Sequence, residues 1–303
     1  MQVIVHGGAG GVPDEPEPRQ SVLDDAAADA TRANTPLEAV EAAVRPLETS
    51  PRFNAGTGGA RQSDGVVRTD AGVMTSDRMA GAVCSTPRLE HAVSAARVVA
   101  TETPHVLVAG EHAVALAEDF GIATKSDLLT DRSRDRWADV SPPDGGPREH
   151  LAWLRNRFGG ASEEGNGDGG PTGCLSVSDH DHDTVGAVAS DGERFAAATS
   201  TGGRWLALAG RVGDVPQIGA GFYASSAGAA SATGAGEDIA KVTLSRRAVR
   251  HLERGADATS AAERAITEFE DLTDSTAGLI VIGPGGTGEA YNSAGMQTAI
   301  DGD

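Results

Sequence analysis

The chain opens on an apolar run, Val3-Ile4-Val5, that reads as a short buried strand over residues 2–6. His6-Gly7-Gly8-Ala9-Gly10-Gly11 then predicts a glycine loop. Helical spacing follows. One helix is expected over about 18–33. A second begins at Thr35-Pro36-Leu37-Glu38, with an N-cap Thr, Pro at the first helical position and Glu at the capping-box position. Leu37, Val40, Val44 and Leu47 mark one face of it. Residues 52–85, rich in Gly, Val and polar side chains, predict short strands and turns. An amphipathic helix is expected over 88–101, an extended piece at Pro104–Val108 and another helix over 111–120.

From about 126 to 183 the pattern fades into Pro142-Pro143, Gly145-Gly146 and the run from Glu163 to Gly170. This stretch predicts a mobile surface segment with one helix near 147–158. Periodicity returns at Thr184. Strands are expected over Thr184–Ala189 and Arg194–Thr199, helices over about 236–254 and 258–271, and strands over about 276–283 and 287–292. No tandem repeat is visible. Strands, helices, helices and strands in that order predict helix layers outside a central pair of sheets.

Composition narrows the function classes. The chain has 303 residues, 39% of them hydrophobic, enough for one large domain or two small ones. No apolar run approaches the roughly 18 residues of a membrane span. The N-terminus carries no charged n-region or signal-like apolar stretch, so a cytoplasmic protein is expected. Cys84 and Cys174 make no disulfide framework. His180-Asp181-His182-Asp183 could hold a metal only weakly. Net charge is -19, from 44 acidic and 25 basic residues, which argues against nucleic acid as a partner. Lys125 and Lys241 are the only lysines, and an acidic, lysine-poor surface fits work in high salt.

Three stretches stand out for chemistry: Asp183-Thr184-Val185-Gly186-Ala187-Val188-Ala189, Ala198-Thr199-Ser200-Thr201-Gly202-Gly203, and Gly210-Arg211-Val212-Gly213-Asp214 leading into Gly219-Ala220-Gly221. Ala232-Thr233-Gly234-Ala235-Gly236-Glu237 follows. Each sets a Thr, or an Arg and an Asp, beside glycines, whose backbone N–H groups can approach a ligand closely. Taken singly, each also suits a tight strand turn, and Arg211 with Asp214 could be a plain salt bridge. No P-loop ending follows Gly7–Gly11, and no Ser-His-Asp order stands out.

Taken together, these stretches resemble the plant-type asparaginase and isoaspartyl peptidase family of N-terminal-nucleophile hydrolases. The resemblance runs through Val5-His6-Gly7-Gly8-Ala9-Gly10, Phe53-Asn54-Ala55-Gly56-Thr57-Gly58, Met79-Ala80-Gly81-Ala82-Val83, Thr103-Pro104-His105-Val106, the block from Thr184 to Glu237, and Asn292-Ser293-Ala294-Gly295-Met296. It implies an α+β fold, a four-layer αββα sandwich. It implies a single domain over 1–303 that cuts itself between Asp183 and Thr184, giving subunits 1–183 and 184–303 with a mobile linker at about 126–183.

The resemblance makes Thr184 the nucleophile, its freed α-amino group acting as base for its own hydroxyl near neutrality. Thr201 then supports that hydroxyl and Asn54 positions it. Thr233 and the Gly234 N–H form the oxyanion hole. Arg211 grips the substrate α-carboxylate and Asp214 its α-ammonium. Leu47, Glu48, Ser50, Phe53, Ala55 and Thr57 match a loop whose backbone carbonyls hold a structural sodium ion; no other cofactor is implied. His6 is expected to be structural. Implied substrates are L-asparagine and β-aspartyl dipeptides, and the implied assembly is a dimer of cleaved heterodimers, without nucleic acid or membrane. Asp183 before the threonine departs from the Gly of many asparaginases and matches the related glycosylasparaginases, so cleavage of a glycan–asparagine amide stays open. An uncleaved amino-acid-binding protein of the same fold is the third alternative.

Overall fold

The computed structural model describes residues 1–158 and 184–302. Among them eleven strands form two sheets. The larger holds β1 (Gln2–Gly10), β2 (Arg68–Thr75), β3 (Ala80–Pro87), β4 (Leu107–Ala109), β5 (Val185–Ser190), β6 (Phe195–Thr201) and β11 (Gly295–Asp301), in the order β11-β1-β5-β6-β2-β3-β4. The smaller has the order β10-β9-β8-β7, from β7 (Phe222–Ser225), β8 (Gly228–Gly234), β9 (Ala277–Gly283) and β10 (Gly286–Tyr291). Every pair is antiparallel except β3 with β4.

Side chains alternate between the two faces of a strand. In β5, Val185, Ala187 and Ala189 join the core under α1 (Pro16–Ala30), α2 (Pro36–Thr49) and α3 (Ala92–Glu102). Val188 instead joins Ile4, Ala197, Phe222 and Ile280 between the sheets. The far side of the smaller sheet packs on α8 (Leu244–Glu253) and α9 (Ala258–Leu272) through Ala248, Val249, Ala262 and Phe269. Burying each such Val or Phe contributes about 1.5–3 kcal/mol.

Thr35 caps α2 by accepting the Glu38 N–H at 3.2 Å, as its sequence predicts. Several expectations need correction. The glycines after His6 do not form a loop: β1 runs on to Gly10, with an irregularity between His6 and Ala9. The expected helix over 236–254 is broken, α7 (Gly236–Val242) from α8, by Thr243 in the left-handed region at φ 55°. Strands β7, β8 and β11 were not expected. The stretch 126–158 is not a loose segment with one helix. It carries α5 (Asp131–Ala138) and α6 (Pro147–Phe158), whose Trp137 and Leu154 pack with Trp205 and Leu206. Trp137 meets Trp205 edge to face, ring centroids 6.0 Å apart. Cys174, the His180–Asp183 tract and the rest of the expected linker lie outside the described residues. Among the described residues no helix is long and apolar enough to cross a membrane.

Candidate active site

The site forms where β5 begins and β6 ends, at the middle of the larger sheet. Thr184 directly precedes β5 and is 6% exposed. The register Val185↔Ser200 sets Thr184 opposite Thr201, and Thr201 pairs in turn with Asp70 of β2. Alternation turns Thr199 and Thr201 toward the smaller sheet, as it does Gly186. There Thr199 Oγ1 lies 2.7 Å from Ser231 Oγ, and Ser231 Oγ lies 2.9 Å from His6 Nε2. The Ala9 N–H donates to Thr233 Oγ1 at 3.2 Å. Gly186 allows this approach: a Cβ there would lie 2.0 Å from Ser231 Oγ and 2.4 Å from His6 Nε2. Gly234 follows Thr233 at φ +132°, a conformation that side chains rarely adopt. Burial pushes the His6 imidazole down to about 3, so it is neutral and serves as a buried hydrogen-bonding strut.

Asn54 ties the turn after α2 to the end of β6. Its Nδ2 donates to Gly203 O at 2.6 Å and its Oδ1 accepts the Ala60 N–H at 3.0 Å. Its carbonyl accepts the Gly202 N–H at 2.7 Å and, at 3.5 Å, the Thr201 hydroxyl. Thr201 Oγ1 also accepts the Gly203 N–H at 3.2 Å. The side chains of Asn54 and Thr201 are therefore fixed by backbone partners beside Thr184.

The Arg211–Asp214 turn carries the charges. Arg211 forms a fork to Glu237, Nε to Oε1 and Nη2 to Oε2, each 2.8 Å. Burial works against both charges, yet this pairing raises the Arg211 pKa and holds the Glu237 carboxyl down at about 2. Asp214 is 4% exposed, and its buried Oδ2 has no hydrogen-bond partner among the described residues. Burial pushes it up to about 7 despite Arg211. Asp70 is 2% exposed and accepts the Ser85 N–H at 2.7 Å. Burial lifts it to about 6, with that bond and Arg211 opposing. A half-buried guanidinium beside the buried Asp214 and Asp70 carboxylates suits a ligand that carries both signs of charge.

The turn after α2 folds back on the helix end: Thr57 N–H donates to Glu48 O at 2.8 Å and Phe53 N–H to Ser50 O at 3.3 Å. The Glu48 side chain is fully buried. Its Oε1 accepts from Val93 N at 2.9 Å and Ser200 Oγ at 2.6 Å, and Oε2 lies 3.4 Å from His91 Nδ1. Burial raises its pKa against these partners. Glu48 thus grips β6 one residue before Thr201, beyond the backbone role its sequence suggested.

The structure accordingly brings Thr184, Thr201, Thr233 and Asn54 to one end of the facing sheets, and Arg211 with Asp214 to one turn. Sequence reasoning missed Asp70, Ser231 and the pairing of Glu237. Asp70 alone had a signal, a carboxylate within an otherwise small and apolar run, Ala71-Gly72-Val73-Met74.

Comparison with known proteins places the chain in a family. A family model described as asparaginase matches residues 1–303. The chain belongs to the asparaginase family. It is 36% identical to a plant-type L-asparaginase of Pyrococcus abyssi, over 99% of this chain and 96% of the relative. It is 36% identical to an isoaspartyl peptidase/L-asparaginase of Danio rerio, over 98% and 91% respectively. A Rattus norvegicus protein of the same description is 35% identical over 99% of this chain and 85% of its own length.

Proposed function

We propose that this asparaginase-family chain hydrolyses L-asparagine and β-aspartyl dipeptides, with Thr184 as nucleophile after a cut between Asp183 and Thr184. The observation that carries the reading is the seating of Thr184 opposite Thr201, beside a turn that offers Arg211 and Asp214. The names of the relatives favour these substrates over a glycosylated asparagine. The packing of two facing sheets with helices on their outer sides supports a four-layer αββα sandwich of the N-terminal-nucleophile type. The working assembly is a dimer of cleaved heterodimers.

In the cut, Thr184 Oγ attacks the Asp183 carbonyl carbon and the C–N bond breaks. That break frees the Thr184 α-amine and leaves an ester on Oγ, which water hydrolyses to the Asp183 carboxylate and the Thr184 hydroxyl. That amine takes the Thr184 hydroxyl proton while Oγ attacks the substrate side-chain amide carbon. Thr233 Oγ1 and the Gly234 N–H stabilise the oxyanion. The protonated leaving group departs as ammonia or an amine, and water hydrolyses the β-aspartyl ester. Arg211 takes the α-carboxylate in place of Glu237, and Asp214 takes the α-ammonium. Asn54 and Thr201 keep the strand end rigid. Backbone carbonyls of Leu47, Glu48, Ser50, Phe53, Ala55 and Thr57 fit a sodium ion, being hard oxygen donors on one folded-back turn. The ion would brace the loop that carries Asn54.

A denaturing gel with mass spectrometry tests the reading. Two fragments are expected, one starting at Thr184. A lasting single chain of 30.7 kDa would overturn it. Replacing Thr184 with Ala should leave the chain uncut, with no ammonia released from asparagine.

A further inference from the structure

Asp70 has no part in the mechanism above, yet it stands between both halves of the site. In register it is the β2 partner of Thr201, with Thr184 on the other side of that residue. The pairing of β2 with β3 is irregular between Thr69 and Ala71, so Asp70 sits at a bulge. Bulges re-aim side chains and recur beside active sites. Opposite it, Ser85 adopts the left-handed region at φ 53°, uncommon for a residue with a side chain, and its N–H donates to Asp70 Oδ1 at 2.7 Å. Two local departures from regular backbone thus converge on one buried carboxylate. A hydrogen bond from the Gly213 backbone and the charge of Arg211 also act on it, and its own charge acts on Asp214 and Cys84.

We infer that Asp70 is a positioning residue of the substrate clamp: it anchors the Arg211–Asp214 turn against β2 beside Thr201 and adds a second negative charge to recognition of the α-ammonium. The inference rests on the proposed asparaginase chemistry, which supplies a ligand with that ammonium. Among the described residues, the titratable side chains acting on Asp70 and Asp214 are Arg211, Glu237 and Cys84. Arg211 is occupied by Glu237, so the two aspartates share a buried site with an excess of negative charge that a substrate cation relieves. A residue that merely stabilised the bulge would affect every ligand alike.

Titration calorimetry with aspartate and succinate separates the two roles, since they share carbon chain and carboxylates and differ in the ammonium. In Asp70→Asn, aspartate affinity should fall on the order of tenfold while succinate affinity holds within about twofold. The acid limb of kcat/KM should move to lower pH, because removing a like charge lowers the pKa of Asp214. Equal losses for both ligands, or no loss for either, would overturn the inference. If Asp70→Asn does not fold, carboxyl-carbon NMR of the unaltered enzyme decides: the Asp70 signal should move on adding aspartate but not succinate, and equal shifts would overturn it. An unaltered enzyme that binds aspartate no better than succinate would defeat the asparaginase reading along with it. Normal ligand preference with an indifferent Asp70→Asn would defeat this inference alone.

Discussion

Arg211 and Glu237 close on each other through two parallel hydrogen bonds of 2.8 Å, so the guanidinium that would hold a substrate carboxylate already holds one of the protein's own. The Glu237 side chain is 49% exposed and that of Arg211 18%, so solvent screens the fork from one side and it contributes on the order of 1 kcal/mol, the upper end for exposed pairs. A substrate can therefore displace Glu237 at little cost. Steady-state kinetics on asparagine should show KM falling by up to about fivefold in Glu237→Gln with kcat nearly unchanged. Arg211→Lys loses the planar fork, and kcat/KM should drop roughly ten- to hundredfold. A rise of KM in Glu237→Gln would mean that the pair orients Arg211 and does not compete with substrate.

At Gly186, two residues after Thr184, the two sheets press close together. A methyl there would sit 2.0 Å from Ser231 Oγ and 2.4 Å from His6 Nε2, both on rigid buried strands. Gly186→Ala should cost about 1–3 kcal/mol through overpacking and lower Tm by several degrees. It should also slow the cut between Asp183 and Thr184, because the strand that presents Thr184 must shift. A time course on a denaturing gel beside a melting curve checks both effects, and wild-type rates with wild-type Tm would contradict them.

Asp214 should make the free enzyme less stable as pH rises. Its carboxyl titrates at about 7 in the folded chain, against about 3.9 for an exposed aspartate. The folded state thus favours the protonated form. That stability is fully present below about pH 4 and is lost as pH rises through about 7. Melting curves between pH 5 and 8 should show unliganded wild type losing several degrees relative to Asp214→Asn. Product aspartate should raise wild-type Tm more at pH 8 than at pH 5, since its ammonium then meets an ionised carboxylate. A flat difference between wild type and Asp214→Asn would remove Asp214 from the buried anionic cluster.

What could be read ahead of the structure follows from which forces act locally. Thr35 with Glu38 and the Leu37–Leu47 stripe are local signals, and α2 formed where they pointed. Strand β8 escaped notice because Gly228-Ala229-Ala230-Ser231-Ala232 has little β propensity; its small side chains make sense only once a second sheet lies against them. Helix α5 escaped because Asp131–Arg136 shows no apolar stripe, and Trp137 and Arg136 anchor it on Trp205 of a distant loop. The site divides the same way. Thr184, Thr201 and Thr233 announced themselves beside glycines. Asp70 gains meaning only from the β2–β6 register, which no local pattern reveals.

The surface makes the last prediction. With a net charge of -19 and 23% charged residues, mutual repulsion among carboxylates works against the compact state. Exposed ion pairs among the described residues, such as Lys125 with Glu118 and Arg88 with Glu111, offset little of it. Added salt screens the long-range repulsion more than it weakens these close contacts, as the screening length falls from about 10 Å at 0.1 M to about 3 Å at 1 M. Tm should therefore climb as KCl rises from low to molar concentration, and activity on asparagine should persist there. Part of any gain could reflect salting-out of apolar surface, so a chain with surface Glu replaced by Gln is the control. Its Tm should start higher and respond less. A melting temperature that falls with KCl would show that close ion pairs, and not net repulsion, dominate this surface.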